Sequence, residues 1–205
     1  MNKVCLFGAS GHGKVIKDIV ESNGISVAAF IDDNPNAKEL LNIPVFNSNQ
    51  IKEFLEQKFI LSVGNNSIRK KISQKFSLEY TSSIHLSAIV SSTSSIDVGT
   101  VVMAGAVINS ETKIGKHCIV NSNSVVEHDC VLEDFVHISP NVTITGNIKI
   151  GEGTHVGAGA TIIPNLKIGK WVTIGAGAVI IRDIPDYAIV VGSPGKIIKY
   201  KKEDE

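Results

Sequence analysis

Large aliphatic residues recur at every sixth position through the middle of the chain. From Ile84 to Ile180, all seventeen positions at this spacing are Ile, Val or Leu. A period of six fits neither an α-helix, with 3.6 residues per turn, nor the alternation of one long strand. It is typical of hexapeptide repeats, in which short strands wind into a parallel β-helix around an aliphatic core. The sequence therefore predicts such a solenoid.

A second row lies two residues before the first and favours the same interpretation. Its members are mostly small or β-branched, so both rows can point into one core. It includes Cys118 and Cys130, while Cys5 falls in an apolar strand, and we expect three buried, reduced thiols rather than a disulfide or metal set. The row is Ala88, Ser94, Thr100, Ala106, Thr112, Cys118, Ser124, Cys130, Val136, Val142, Ile148, Thr154, Ala160, Leu166, Val172 and Ala178.

The part of the chain before the repeat follows a different pattern. Apolar runs typical of buried strands at 4–7, 27–31 and 59–63 alternate with helical patterns, one of which covers about 48–57. This alternation predicts a small parallel α/β domain over residues 1–80. We expect the β-helix to occupy residues 81–185 and a C-terminal tail to occupy residues 186–205.

A polar loop follows each predicted strand of the first domain: residues 8–13, Asp32 with Asp33, and residues 64–66. The carboxyl ends of parallel strands share one edge, where ligands bind. Glycine-rich turns can hold phosphate, and acidic pairs can hold ribose or a base, so we expect a nucleotide site. A tight turn that uses glycine for geometry alone is the alternative. The spacing G-x-x-G-x-G and the small domain disfavour NAD.

Charge and hydropathy exclude several classes of function. The 20 basic and 20 acidic residues balance, so nothing favours a nucleic-acid partner. No apolar stretch approaches 18 residues and no secretion signal is evident, so we expect no membrane span and a cytoplasmic protein. Outer faces of the solenoid should carry apolar residues such as Ile119, Val125 and Val131, which self-association would cover.

One histidine stands out for its neighbours. His128 lies between Glu127 and Asp129, two residues after an inward valine, so it should occupy an outer corner of the solenoid. Either acid could fix its tautomer and raise its basicity. The alternative is an ordinary solvated surface histidine.

Two further histidines are predicted to be neighbours. His137 and His155 are separated by the length of one solenoid turn and should lie on one face in adjacent turns. A zinc site would need three converging imidazoles, as in the trimeric β-helix carbonic anhydrases. Resemblance to that family would imply a pair of histidines five residues apart and a distant third. The chain contains no such pair, and we expect no metal.

Taken together, these motifs resemble the bacterial sugar acyltransferases, which include sialic acid O-acetyltransferases and UDP-amino-sugar N-acetyltransferases of bacillosamine biosynthesis. The resemblance rests on residues 8–13, 30–33, 64–66, 68–70 and 126–130, with the hexapeptide array and the ending at 185–196, where Gly195 replaces the usual alanine. It implies a left-handed β-helix, a homotrimer with active sites between neighbouring subunits, acetyl-CoA as donor and a nucleotide-linked sugar as acceptor.

The resemblance also implies roles for particular residues. His128 matches the catalytic base, Asp129 the acid that orients it, and Gly146 the glycine whose N–H faces the developing oxyanion. The residues matching acetyl-CoA contacts are His137, Ala158 and Ala176, and those matching the nucleotide-sugar site are Ser10, Gly11, His12, Asp32, Asp33, Gly64 and Lys70.

The expected reaction is N-acetylation of a UDP-linked 4-amino sugar. An imidazole, with an ordinary pKa near 6.5, can relieve an attacking amine of its proton at neutral pH, and N–H donors can stabilise the tetrahedral intermediate. No serine or cysteine is placed as a covalent nucleophile, so we expect direct transfer. The residues Asp32 and Asp33 favour a nucleotide-linked acceptor. O-acetylation of sialic acid and a non-catalytic binding solenoid are the alternatives.

Overall fold

The computed structural model describes residues 3–202, which form an α/β domain followed by a β-helix. The first two residues of the predicted first domain and the last three of the predicted tail lie outside this range. The elements of the α/β domain are β1 (Lys3–Phe7), α1 (Gly11–Ser22), β2 (Ser26–Asp32), β3 (Glu39–Leu40), β4 (Ile43–Asn47), a 3-10 helix (Ser48–Phe54), β5 (Lys58–Leu61) and α2 (Asn66–Lys75).

The sheet of this domain has the strand order β3-β4-β2-β1-β5. Strand β1 lies between β2 and β5 and runs parallel to both. Helix α1 buries Ile16, Ile19 and Val20. The carboxyl ends of β1, β2 and β5 therefore meet at one edge, which confirms the predicted parallel α/β arrangement.

The hairpin of β3 and β4 was not predicted. These strands pair antiparallel, and β4 continues the sheet parallel to β2. Their turn places Leu41 and Asn42 at φ 52° and 61°, a conformation that hairpins usually assign to Asn-Gly or Asp-Gly. The predicted helix over 48–57 is a short 3-10 helix instead.

The remainder of the chain winds into a three-sided parallel β-helix, as predicted. Its short strands pair with the strands one full turn before and after them, as His137 does with His155. Face 1 contains Ser83–Ile84, Val101–Val102, Ile119–Val120, His137–Ile138, His155–Val156 and Thr173–Ile174, and is extended by Ala188–Val191 and Lys196–Tyr200. Face 2 contains Ile89–Val90, Val107–Ile108, Val125–Val126, Thr143–Ile144, Thr161–Ile162 and Val179–Ile180. Face 3 contains Ser95–Ile96, Lys113–Ile114, Val131–Leu132, Lys149–Ile150 and Lys167–Ile168.

The hexad row forms the core of the β-helix. From Val102 to Ile180, every aliphatic residue of the row is at most 2% exposed. The first three positions are more open: Ile84 is 36% exposed, and Val90 and Ile96 are half-buried. No turn precedes them in the solenoid, so their side chains lack one packing neighbour. The cysteines Cys5, Cys118 and Cys130 are free and buried, as expected.

The α/β domain covers face 1 near its start. Val101, Met103 and Ile119 are each 1% exposed and pack in one cluster with β1 and α1. The expectation that Ile119 lies on an open outer face is therefore wrong, because the chain's own first domain occupies that face. Val125 and Val131, on faces 2 and 3, are only half-buried.

Candidate active site

His128 lies at the corner between face 2 and face 3, with its side chain 60% exposed. Its Nδ1 atom is 2.7 Å from Oδ2 of Asp129. A carboxylate can only accept a hydrogen bond, so this contact places the proton of the neutral ring on Nδ1. The Nε2 atom is then free to accept a proton, which is the tautomer that a general base requires.

The structure distinguishes the two acids beside His128. Asp129 adopts φ 60° at the corner, which turns its carboxylate toward the imidazole. The Glu127 carboxylate instead accepts a 2.9 Å hydrogen bond from the side-chain amide of Asn109, one turn earlier. Asp129 is therefore the acid in contact with the ring.

Gly146 lies against His128 in the next turn of the β-helix. A Cβ atom at this position would be 2.6 Å from Cε1 of the His128 ring, so only glycine leaves room for the imidazole. The backbone N–H of Asn147 donates to the His128 carbonyl at 2.9 Å. Within residues 3–202, the Gly146 N–H has no hydrogen-bond acceptor and is available to a ligand.

Ala158 and Ala176 occupy a different corner, between face 1 and face 2. Both are exposed, and they are one solenoid turn apart, so they lie one above the other. In the described part of the chain, their N–H groups have no acceptor, as a ligand arm bound to the backbone would require. The full width of face 2 separates them from His128. A single chain therefore does not bring the predicted acetyl-CoA corner and the predicted base together.

The loops predicted to bind the nucleotide sugar meet at the carboxyl edge of the sheet. The Asp32 carboxylate accepts from the backbone N–H groups of Ala9 and Asn34, each at 2.9 Å. The Ser62 hydroxyl donates to the Gly8 carbonyl at 2.7 Å. These bonds tie the ends of β1, β2 and β5 into one unit.

The other residues predicted at this edge differ in how many contacts they already make with other protein groups. Ser10 and Gly11 are exposed where α1 begins, and the Ser10 side chain makes no capping bond. The Asp33 carboxylate accepts from the Ser48 hydroxyl and lies 3.5 Å from the Lys75 ammonium. Ser10 and Gly11 are thus the more open to a ligand.

Three histidines meet where the two domains join. The His12 ring lies 6.3 Å from the His137 ring, which stacks on His155 at 4.8 Å. Burial, with a contribution from the Arg69 charge, lowers the pKa of His12 to about 4 and that of His137 to about 3. Desolvation also lowers the pKa of His155, the most exposed of the three. All three rings are therefore neutral at neutral pH.

His137 has partners at both ring nitrogens. Its Nδ1 lies 3.3 Å from the Gly64 carbonyl, and its Nε2 lies 3.2 Å from the Asn121 side-chain amide. Nδ1 is therefore the donor and Nε2 the acceptor. A contact between His137 and acetyl-CoA would have to displace Asn121 or use the ring edge.

Helix α2 carries one predicted site residue, Lys70, and one residue of the family motif, Arg69, to which the sequence assigned no role. Lys70 pairs with Glu152 of the β-helix and lies 5.4 Å from the centre of the Trp171 ring. Its neighbour Arg69 is 1% exposed, although nothing in this basic stretch distinguishes it from the lysines that follow. A cleft of about 470 Å³ lies between the start of α2, at Asn66 and Ser67, and the rings of His137 and His155.

Two other classes of site are absent from the part of the chain that the structure describes. There, no group of three or more His, Cys, Asp or Glu side chains could hold a metal ion. Within residues 3–202, no helix has the length and apolar character needed to cross a bilayer.

Comparison with protein families agrees with the two-part architecture. Residues 3–76 match the PglD N-terminal domain, and residues 111–146 and 147–182 match the bacterial transferase hexapeptide (six repeats). UDP-N-acetylbacillosamine N-acetyltransferase of Bacillus subtilis (strain 168) is 40% identical over 110 residues. That alignment covers 49% of this chain and 51% of the relative, so the chain spans about half the length of this curated relative.

Solved structures match over nearly the whole chain. A variant of perosamine N-acetyltransferase from Caulobacter crescentus, in complex with CoA and GDP-perosamine, is 32% identical with a TM-score of 0.93, covering 97% of this chain and 98% of that one. The acetyltransferase domain of PglB from Neisseria gonorrhoeae FA1090, in complex with acetyl coenzyme A, is 36% identical with a TM-score of 0.89, covering 97% and 100%. These matches confirm the left-handed β-helix. The chain belongs to the family of hexapeptide-repeat sugar acyltransferases that begin with a PglD N-terminal domain.

Proposed function

We propose that the protein transfers the acetyl group of acetyl-CoA to the amino group of a nucleotide-linked 4-amino sugar, with UDP as the nucleotide. The observation that carries the proposal is the exposed His128–Asp129 pair beside Gly146. The solved relatives support the ligands: one binds CoA with GDP-perosamine and another binds acetyl-CoA. The Bacillus relative, named for a UDP-linked amino sugar, supports UDP.

The geometry at His128 suits direct transfer. The sugar amine attacks the thioester carbonyl while Nε2 of His128 accepts the amine proton. Asp129, at Nδ1, stabilises the imidazolium that forms. The unpaired N–H of Gly146 donates to the oxyanion of the tetrahedral intermediate. When the intermediate collapses, the carbon–sulfur bond breaks and the CoA thiolate leaves, taking up the proton from His128.

Face 2 is the surface that we propose for self-association. Face 1 is covered near its start by the α/β domain, and the outer row of face 3 carries Lys113, Lys149 and Lys167. The outer row of face 2 has no charged residue, and an uncharged face of this kind favours association. Its residues are Ile89, Val107, Val125, Thr143, Thr161 and Val179.

Association through face 2 would also complete the active site. The two edges of this face are the corner with His128 and the corner with Ala158 and Ala176. In a ring of three chains with face 2 inward, one edge of each chain meets the opposite edge of its neighbour. His128 of one chain then faces acetyl-CoA held by the next. We therefore propose a homotrimer with three intersubunit sites.

The repeat also gives the direction of the CoA arm. Successive turns of a parallel β-helix are spaced like neighbouring strands, at about 4.8 Å, so Ala158 and Ala176 lie roughly 8 and 13 Å beyond the level of His128. An arm that starts at His128 and passes both alanines runs toward the C-terminal end of the solenoid.

The three free, buried cysteines suit a reducing compartment, and we place the reaction in the cytoplasm.

A thiol-release assay with acetyl-CoA tests this function against a panel of acceptors. The panel contains UDP-, GDP- and dTDP-linked 4-amino sugars, together with free and CMP-linked sialic acid. The proposal expects turnover with a nucleotide-linked amino sugar, and fastest with the UDP form. Turnover with sialic acid alone would contradict it. Binding of CoA without turnover of any acceptor would favour a non-catalytic solenoid.

A further inference from the structure

Arg69 is a fully buried cation where α2 meets the β-helix. Its Nε atom donates to the carbonyl of His117 at 2.8 Å, and Nη2 donates to the carbonyl of Phe135 at 2.9 Å. Both carbonyls belong to the corner between face 3 and face 1. One side of the guanidinium is therefore anchored to the rigid solenoid.

The other side of the guanidinium holds the loop that follows β5. Nη1 donates to the carbonyls of Val63 at 2.9 Å and Gly64 at 3.3 Å, and Nη2 donates to Oδ1 of Asn66 at 2.9 Å. The side-chain amide of Asn66 donates in turn to the Gly153 carbonyl of the β-helix at 3.0 Å. Gly64 is also the residue whose carbonyl faces His137. Arg69 thus fixes the distance between this loop and face 1.

All of these acceptors are neutral. Within residues 3–202, no carboxylate lies within ion-pair distance of the guanidinium, although buried charges in proteins are normally paired. Burial lowers the pKa of Arg69 to about 10, so the group stays protonated at neutral pH. The same charge helps to lower the pKa values of His12 and His137. Close to Gly64 and His12 there is therefore a buried positive charge that no carboxylate of residues 3–202 pairs with directly.

We propose that Arg69 is a positioning residue of the acceptor site. Arg69 holds the Gly64 loop against the β-helix, and its positive charge, which has no carboxylate partner among the described residues, favours a ligand with a diphosphate group. The proposal rests on the proposed function, since it takes the diphosphate to be that of the nucleotide-linked sugar. Because Arg69 is itself buried, it would influence the ligand through the loop that it holds and through its charge, and not by direct contact. A diphosphate over Gly64 and His12 would bring negative charge close to the guanidinium, which has no carboxylate partner within residues 3–202.

Titration calorimetry with two kinds of ligand separates this role from a purely structural one. UDP and GDP probe the acceptor site, and CoA probes the corner at Ala158 and Ala176, which Arg69 does not touch. The variants are Arg69→Gln, which removes the charge, and Arg69→Lys, which keeps it with fewer donors. The matched control is Lys71→Gln, which removes an exposed charge from the same helix.

The proposal expects Arg69→Gln to weaken binding of the better nucleoside diphosphate at least tenfold and to change CoA affinity less than twofold. Arg69→Lys should recover part of the loss, and Lys71→Gln should behave as wild type. Diphosphate affinity unchanged in Arg69→Gln would overturn the proposal, as would equal losses for diphosphate and CoA in a folded variant.

A second variant covers the case in which Arg69→Gln does not fold. Asn66→Ala removes one acceptor of the guanidinium and the bond to Gly153 but keeps the charge, so diphosphate binding should weaken several-fold with CoA binding unchanged. No selective loss in Asn66→Ala would then count against the proposal. Failure of the proposed function gives a different result, because the wild-type protein would then bind neither UDP nor GDP. That result would overturn both the proposed function and the role of Arg69.

Discussion

The molecule holds histidines in two contrasting settings. His128 is mostly exposed, has a carboxylate at Nδ1 and leaves Nε2 open. His12, His137 and His155 lie against one another where the domains meet, have no carboxylate partner among the described residues and share the field of Arg69. The same side chain is prepared for proton transfer in the first setting and kept neutral in the second. Neighbouring groups, and not the residue type, decide which histidine is suited to the proposed proton transfer.

The largest expected effect comes from removing the exposed imidazole. His128→Ala should lower kcat at least 10²-fold, because general-base catalysis typically contributes 10²- to 10⁴-fold. Affinity for acetyl-CoA should be nearly unchanged, since none of the predicted CoA contacts (His137, Ala158 and Ala176) lies at the corner of His128. Steady-state thiol release and CoA titration check this. His85→Ala, at the open first turn, is the control; comparable turnover in His128→Ala would refute the assignment of the base.

A smaller effect is expected from moving the same imidazole without removing it. In Gly146→Ala the new Cβ would lie 2.6 Å from Cε1 of His128, so the ring must shift. Displacement of a catalytic group by about 1 Å can cost roughly 10²-fold in rate, and kcat should approach that loss. Wild-type kcat in Gly146→Ala would show that the position of the ring is not critical. Unchanged CoA affinity would show that the solenoid as a whole still folds.

The two acids beside His128 offer a matched pair of variants. Asp129→Asn should lower kcat about tenfold, because an amide can donate to Nδ1 and so disfavour the tautomer with a free Nε2. The loss is modest because the pair is exposed and screened by solvent. Glu127→Gln should change kcat by less than about twofold, since its carboxylate contacts Asn109. The reverse order of effects would reassign the orienting acid.

The buried histidines should affect stability with pH. The pKa values of His12 and His117 are lowered to about 4, and that of His137 to about 3. Below pH 6.5 these histidines bind protons in the unfolded chain but not in the folded chain. The free energy of unfolding that they contribute is therefore fully present above this pH and is lost as the pH falls toward 4. Each such histidine contributes a slope of up to about 1.4 kcal/mol per pH unit.

Thermal unfolding at pH 7.5 and pH 5.0 measures this slope. The midpoint temperature of unfolding should be lower at pH 5.0 than at pH 7.5. His137→Gln should reduce the difference between the two midpoint temperatures, whereas His85→Gln should not. Equal gaps in all three proteins would show that the buried rings do not set the acid sensitivity.

Sequence reasoning succeeded where geometry repeats locally. A side chain at every sixth position must point inward in a three-sided solenoid, so the row from Val102 to Ile180 could be identified without tertiary information. The stacking of His137 on His155 follows from their separation by one full turn. The corner position of His128 follows in the same way from its distance to the nearest inward residue.

Features that depend on domain docking could not be predicted. Ile119 is buried because the first domain covers face 1, and the hexad pattern does not show which face is covered. The role of Arg69 was not predicted because two of its partners are the backbone carbonyls of His117 and Phe135, and any residue type would supply those. The β3–β4 hairpin was missed because its turn contains Leu41 and Asn42 and lacks a typical hairpin dipeptide.

Subunit complementation tests most directly the central claim that His128 acts on acetyl-CoA held by a neighbouring chain. His128→Ala lacks the base, and Ala176→Trp places a bulky group on the predicted CoA corner, so each should be inactive alone. In trimers formed by co-expressing both, about one site in four combines an intact base with an intact CoA corner. The account predicts thiol release near a quarter of the wild-type rate. Co-expressed trimers as inactive as either parent would contradict it.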